Sequence, residues 1–500
     1  MNVRSEENPV PRRARAVAGH AAWPTLALAV AALAAGPAVL PAHGQLPPPG
    51  SAQNPFYGSV TVQMASGDPI RLSLDGAIQM GLQNNLGLKE AENDEKILKG
   101  EKNQALQEFL PTVTLSGGTG VYQHDLAAQG FNSGVVAGFG SLFPGGQLPA
   151  GVSFITRDDL TQGTLSFKQT LFSGPVISAW KAAGAAQRVA YFAKMSARGE
   201  VVQQVASAYL HAVAAAGEVD NATAQLAADK LALRNAHLSH VAGTVSNLDE
   251  LRARVQYQAQ QQALLAAENA REKDLILLKR EIGIDPGRDV VLTDPAPYSD
   301  LAEQSPAEVR ALAYRNRQDY QNLQNQVVEL RAVHSAYRAQ RLPTLKFNGY
   351  WGVDTVNGAG THGNFAAIGT LSVPIFYEAR LRGNEDASRA QFEAAEAELA
   401  DLRDHIDEQV RDALLDVAAS QKLVAVARSN VDLAAQALSD ETDRVHAGVD
   451  DNLPLVVAQA RLASAENNMV ESLYQCNLSK LALARAAGVL ETQYRDYIGH

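Results

Sequence analysis

Two stretches decide the fold: FLPTVTLSGGTGV (109–121) and RLPTLKFNGYWGV (341–353). In both, Leu-Pro ends a helical pattern, because the residue before a proline is pushed out of α space. A period of two follows. Val113, Leu115, Gly117, Thr119 and Val121 alternate with Thr112, Thr114, Ser116, Gly118 and Gly120. Leu345, Phe347, Gly349, Trp351 and Val353 alternate with Lys346, Asn348, Tyr350, Gly352 and Asp354. Each stretch therefore predicts a strand with one apolar and one polar face. Return strands follow: Leu165, Phe167 and Leu171 against Thr164, Ser166, Lys168 and Thr170, then Phe365, Ala367, Leu371, Val373 and Ile375 against Thr370 and Ser372.

Working outward, everything around these strands also occurs twice. Gly163-Thr-Leu-Ser returns as Gly369-Thr-Leu-Ser; Gly243 with Asn247-Leu248 returns as Gly448 with Asn452-Leu453; Gly283 returns as Gly488. Ordered landmarks of this kind predict two structural repeats, 73–290 and 305–490. Each opens with a helix, 73–108 and then 305–340, with Asp75 and Glu308 at the positive end of the helix dipole. Two strands follow, at 112–122 and 160–172 in the first repeat and at 344–354 and 364–376 in the second. The connection between them is a loose Gly-rich stretch (119–158) in the first copy and a short one (353–364) in the second. A helical hairpin closes each repeat: 176–242 returning along 247–282 within 176–283, and 379–447 returning along 453–487 within 379–488. Residues 176–242 contain no proline and span about 100 Å as a helix. Its apolar positions are mostly small (Val202, Val205, Ala206, Tyr209; Ala413, Leu414, Val417), which suits close antiparallel packing. Residues 291–304 read as a linker and 491–500 as a C-terminal tail.

The N-terminus is an address. Arg4, Arg12, Arg13 and Arg15 precede an apolar stretch from Thr25 to Ala35, and Ala42-His43-Gly44 offers small residues for cleavage. This predicts a secretory signal peptide over 1–44, too short in its apolar centre to span a membrane. A Pro/Gly-rich arm (45–72) follows. Cys476 is the single cysteine, so no acyl anchor at the cleavage site, disulfide framework, Cys-rich zinc site or iron–sulfur cluster is expected. The 500 residues carry a formal net charge of −11, which argues against nucleic acid as a partner.

Four amphipathic strands cannot close alone. Their edges would stay unsatisfied in hydrocarbon, and bacterial barrels begin at about eight strands. Symmetric association removes the edges, with two chains supplying eight strands or three supplying twelve. Long hairpins attached to such a barrel make a duct.

Leu72-Ser-Leu-Asp-Gly-Ala-Ile78 with Leu82-Gln-Asn-Asn85, the Leu-Pro segments before the strands, Gly243-Thr-Val-Ser-Asn-Leu-Asp-Glu-Leu-Arg-Ala-Arg254, and Leu277 to Ile284 together resemble the TolC-like outer-membrane efflux protein family. The resemblance spans about 72–490. It implies a mainly α fold with a membrane β-barrel: duplicated long helical hairpins plus four β-strands per chain, closing as a trimeric 12-stranded barrel on an α-helical periplasmic tunnel. It further implies a homotrimer in outer-membrane lipid, the exit duct of a tripartite efflux or one-step secretion system. Its implied partners are a periplasmic adaptor (membrane-fusion) protein and an inner-membrane transporter. Adaptor contacts are expected at the tips: Gly243, Thr244, Val245, Ser246, Asn247 and Leu248, and Gly448, Val449, Asn452 and Leu453. Asp249 matches a family gate carboxylate, and it reads equally as a helix-start carboxylate. In the second repeat Pro454 and Val457 replace the acidic positions, while Asp450 and Asp451 lie nearer that turn, as candidate gate charges or a solvated tip. The barrel lumen is expected to hold Thr114, Ser116, Lys168, Lys346, Asn348 and Asp354, with Leu115, Phe167, Phe347 and Trp351 facing lipid.

No enzyme is expected. Gly358-Ala-Gly-Thr-His-Gly363 fits a dinucleotide pattern but sits between strands, without the following helix that pattern needs. No phosphate-binding loop occurs. His237 and His240 share a helix face without a local acidic or cysteine partner, and Cys476 lacks a nearby base. No cofactor and no metal are expected. A periplasmic coiled-coil adaptor and a passive outer-membrane porin are the competing readings. The first has one hairpin and an inner-membrane tether, and the second has no use for two tunnel-length hairpins.

Overall fold

The computed structural model describes residues 54–62, 64, 67–126, 128, 130, 155–243, 246–294, 297–356, 360–447 and 452–499. The expected signal peptide lies outside that set, as do Thr244, Val245, Gly448, Val449, Asp450 and Asp451. Strand β1 (Ile70–Leu72) precedes helices α1 (Leu74–Asn84) and α2 (Leu86–Gln107), strands β2 (Thr112–Asp125) and β3 (Ile155–Phe172), and helices α3 (Gly174–Val241) and α4 (Asn247–Ile282). After strand β4 (Val290–Leu292) the series returns as α5 (Pro306–Asn316), α6 (Gln318–Ala339), β5 (Thr344–Val356), β6 (Gly360–Ser372), α7 (Glu378–His446) and α8 (Asn452–Ala486). Helix α9 (Leu490–Ile498) follows. At 68 and 69 residues, α3 and α7 are each about 100 Å long. No described helix is long and apolar enough to cross a membrane.

The opening helix of each series differs from its expected single span. It is broken by one extended residue, Asn85 (φ −61°, ψ 134°) and Arg317 (φ −65°, ψ 122°). The Asn85 side chain accepts from Leu88 N at 3.3 Å and donates to Phe56 O at 2.7 Å, so it caps the second piece while pinning the chain before the first. Arg317 is held by Asp319 and Gln409, each at 2.6 Å. Across each break stands a left-handed glycine. A Cβ on Gly283 (φ +85°) meets Val60 O at 2.7 Å, and one on Gly488 (φ +74°) meets Arg317 N at 2.6 Å. The glycine pair that marks the duplication is therefore the pair that lets a hairpin end press onto a helix break.

The strands also run differently from expectation. β2 and β3 extend to Asp125 and back to Ile155, and β5 and β6 to Val356 and Gly360, their ladders continuing past the apolar band. β6 stops at Ser372: Pro374 has no N–H for a ladder, so Val373 and Ile375 lie past the strand. The arm expected at 45–72 is tied down where it is described. β1 pairs in parallel with β4, and Val60 N and Val62 N donate to Asn84 O and Gly283 O at 2.9 and 3.0 Å. The expected linker is held likewise, by Asn477 Nδ2 on Pro297 O (2.8 Å) and Gln421 Nε2 on Leu301 O (3.2 Å). The expected tail is helix α9, with Tyr494, Tyr497 and Ile498 buried and Arg495 and Tyr494 both bonded to Asp75. Arg198 also reaches Glu491 at 2.6 Å. That pair is a third exposed and worth at most about 1 kcal/mol, so burial holds α9 in place and the ion pair orients it.

The core lies midway along α3. Val201, Val202, Val205, Ala206 and Tyr209 pack with Leu74, Ile78, Leu278, Ile282, Ile406, Val410, Leu481 and Leu483. Close approach matters here: a Cβ on Gly81 of α1 comes within 2.7 Å of Val205 Cγ2. Tyr209 donates to Leu72 O at 3.1 Å, satisfying its hydroxyl. Glu281 is less well served. It is 0% exposed, Gln204 donates to one oxygen at 2.9 Å, and the other oxygen has no partner. Burial pushes its carboxyl up to about 7, against the opposing bond from Gln204 and the charge of Arg280.

Two outcomes are expected. Gly488→Ala should lower the thermal midpoint well beyond Gly243→Ala. Both glycines are left-handed (φ +74° and +75°), a strain of about 1–2 kcal/mol for alanine, but only the former Cβ strikes backbone. Equal losses would show that the contact does not select glycine. For Glu281, the folded state binds the proton more tightly than the unfolded chain, so its burial weakens the fold as pH rises through about 7. Glu281→Gln should raise the melting temperature at pH 8 and change it little at pH 5, as read by paired thermal scans.

Candidate functional site: the sheet faces and the hairpin tip

The four long strands form one antiparallel sheet in the order β2-β3-β5-β6. Register fixes which side chains share a face. Thr114 pairs with Ser166, Ser166 with Tyr350 and Tyr350 with Ala366; Thr112 pairs with Lys168, Lys168 with Asn348 and Asn348 with Ile368. Since side chains alternate along each strand, Thr114, Ser116, Lys168, Lys346, Asn348 and Asp354 lie on one face. Leu115, Phe167, Phe347 and Trp351 lie on the other. The apolar face is bare: Leu115 and Phe365 are each 79% exposed and Trp351 61%. Phe167 and Phe347 meet edge-on across β3 and β5, with ring centroids 5.6 Å apart. The bulge between Thr170 and Phe172 brings Phe172 opposite Leu345, so the apolar column continues to the helical end.

Two features of the sheet escaped sequence reasoning. Thr119, Thr161, Thr355 and Thr361 form one row across all four strands, with hydroxyl pairs at 3.0 and 2.8 Å, where the apolar face gives way to Gln123, Arg157 and Asp159. Asn364 donates to Asp354 on the polar face. Neither row nor pair is readable before register is known. Gly360 to Gly363 belong to β6 itself, so no helix N-terminus follows them.

At the first tip, Gly243 (φ +75°) ends the α3 turn with its N–H on His240 O at 2.9 Å. Ser246 and Asp249 form a capping box. Asp249 N donates to Ser246 Oγ at 3.3 Å, Ser246 N donates to Asp249 Oδ2 at 3.3 Å, and Ser246 Oγ donates to the same oxygen at 2.7 Å. Arg252 lies 3.3 Å from the other oxygen. The Ser246 hydroxyl above all, with the Ser246 N–H and Arg252, holds the Asp249 carboxyl below the usual carboxylate range despite some desolvation. The carboxylate thus starts a helix, whatever else it does.

Its neighbour Glu250, which sequence reasoning passed over, is buried and receives Arg254 at 2.8 Å and His237 Nδ1 at 3.2 Å. Only the i, i+4 spacing of Glu250 and Arg254 hinted at it. His237 is therefore committed to Glu250, and no group of three or more His, Cys, Asp or Glu that could hold a metal occurs among the described residues. Cys476 is buried among helices. At the second tip, Asn452, Leu453 and Pro454 open α8, and Val457 lies 40% exposed in its second turn.

A sheet with one bare apolar face is thus joined to two helices of about 100 Å, each packed on shorter ones. The family model described as outer membrane efflux protein matches residues 77–283 and 309–489. The chain belongs to that family. Solved structures agree on the fold. A membrane protein from Pseudomonas aeruginosa is 19% identical, covering 83% of this chain and 93% of its own, with a TM-score of 0.70. The outer membrane protein VceC from Vibrio cholerae is 18% identical over 83% of this chain and 96% of its own, with a TM-score of 0.68. The MtrE outer membrane channel of Neisseria gonorrhoeae, solved in an open state, is 18% identical over 86% and 95%, with a TM-score of 0.67. No protein with a curated description matches in sequence. This chain is thus an outer-membrane efflux exit duct of TolC-like fold with a large periplasmic helical portion, in a family of transport channels.

Proposed function

We propose that three copies assemble so that β6 of one chain pairs with β2 of the next, closing a twelve-stranded barrel above a tunnel of hairpins. The observation that carries this reading is the sheet itself: β2 and β6 stand at its edges, and a bare apolar face flanks their unsatisfied ladders. In hydrocarbon such edges are untenable, and cyclic symmetry removes them without any new element. The polar face with Thr114, Ser116, Lys168, Lys346, Asn348 and Asp354 then lines the lumen. Solutes or proteins handed on by an inner-membrane transporter leave through it. The tips at 243–248 and 448–453 meet a periplasmic adaptor, and Asp249 narrows the closed end as a ring of three carboxylates that binds cations and impedes passage. Asp450 and Asp451 add charge from the second tip.

The native mass of the mature chain, extracted from outer membranes in mild detergent, should correspond to three copies, and Phe347→Asp should sharply reduce the trimer recovered from membranes. A stable monomer would overturn the shared barrel, and undiminished trimer from Phe347→Asp would overturn the assignment of faces. Gate and cap roles of Asp249 separate in planar bilayers. Asp249→Ala should raise closed-state conductance, whereas Ser246→Ala, which weakens the cap but keeps the charge, should not. Equal conductance of both variants and the unmodified channel would leave Asp249 as a helix cap alone.

A further inference from the structure

The polar face of the sheet is not uniform along its length. Lys168 stands between Thr112 and Asn348, and Lys346 between Thr170 and Thr370, in adjacent rows of neighbouring strands at the helical end. Every other residue in those two rows, and in the next two outward, is uncharged. The carboxylates of this face, Asp354 and Asp158, come only beyond them, with Asp354 opposite Gln162 and His362, and Asp158 opposite Tyr122. From Asn348, beside Lys168, to Asp354 the strand advances by roughly 20 Å at about 3.3 Å per residue.

That separation decides how the charges act. The screening length at physiological salt is about 8 Å, so lysines and aspartates this far apart do not neutralise one another. A low-dielectric wall concentrates counter-ions at a ring of one sign. The formal net charge of the chain is −11, so the lysine zone is a local reversal of the general sign.

We infer that Lys168 and Lys346 make the inner mouth of the barrel an anion-recruiting ring, which favours cargo bearing carboxylate, sulfate or phosphate groups. The inference rests on the trimeric duct proposed above, which gathers six ammonium groups at the junction of tunnel and barrel and six carboxylates nearer the exterior. An anionic group leaving the tunnel is concentrated at the lysine ring, and the carboxylates farther out, well beyond a screening length, do not cancel that attraction. Lys168 and Lys346 determine specificity here and perform no chemistry.

The test is the reversal potential of purified trimers in planar lipid bilayers under a potassium chloride gradient at low salt. Lys168→Gln with Lys346→Gln should shift the permeability ratio toward potassium by about twofold or more, and the shift should shrink at 1 M salt. Lys168→Arg with Lys346→Arg, which keeps the charge, should behave as the unmodified channel. Asp158→Asn with Asp354→Asn should shift the ratio the opposite way. A double glutamine variant of normal conductance and unchanged reversal potential would overturn the lysine ring while leaving the duct intact. Unmodified trimers that form no pore would overturn the duct reading, and the ring with it.

Discussion

A β-sheet can lie in hydrocarbon only if each backbone N–H and C=O has a partner, and this constraint organises the molecule. The chain has a sheet of four strands whose outer members are joined to helices, not to each other. The alternation of side chains makes one surface apolar and the other polar, and the open edges make the sheet incomplete. The long hairpins inherit the geometry: each strand pair hands the chain to a helix of about 100 Å, so whatever fixes the sheet also fixes the bundle's starting point.

Far from the sheet, stability depends on a belt of core around the middle of α3. Small residues allow the helices to approach, and the closest approaches are made by glycines. Gly81 lies against Val205, Gly283 against the break at Asn84 and Asn85, and Gly488 against the break at Arg317. The pieces that looked peripheral, namely the segment before α1, the stretch between the repeats and the C-terminal helix α9, all fasten onto this belt. Their hydrogen bonds run to backbone carbonyls such as Phe56 O, Pro297 O and Leu301 O, which makes the belt a clasp around two hairpins.

At the tip, the helix-start reading of Asp249 is the one the geometry displays. Asp249 sits where a gate carboxylate is expected, and its oxygens complete a capping box and meet Arg252. The gate role proposed above is compatible with that cap, because hydrogen bonds and Arg252 keep the carboxylate ionised. Glu250 takes the buried place beside it, between His237 and Arg254, and so fastens α4 to α3 near the turn.

Local periodicity carried a large share of this in the sequence. A period of two in FLPTVTLSGGTGV and RLPTLKFNGYWGV marked the strands and their faces, and long proline-free alanine- and leucine-rich runs marked the hairpins. Recurring glycines marked the duplication. These are properties of neighbouring residues, and neighbours in sequence decide which way a side chain points on a strand or a helix. Tertiary structure alone decided the rest: the helix breaks at Asn85 and Arg317, the order β2-β3-β5-β6, the threonine row, and the folding of arm, linker and tail onto the core. Each depends on groups far apart in the chain, such as Gly488 against Arg317 or Arg495 against Asp75, and a periodic pattern holds no information about which distant group will supply the partner.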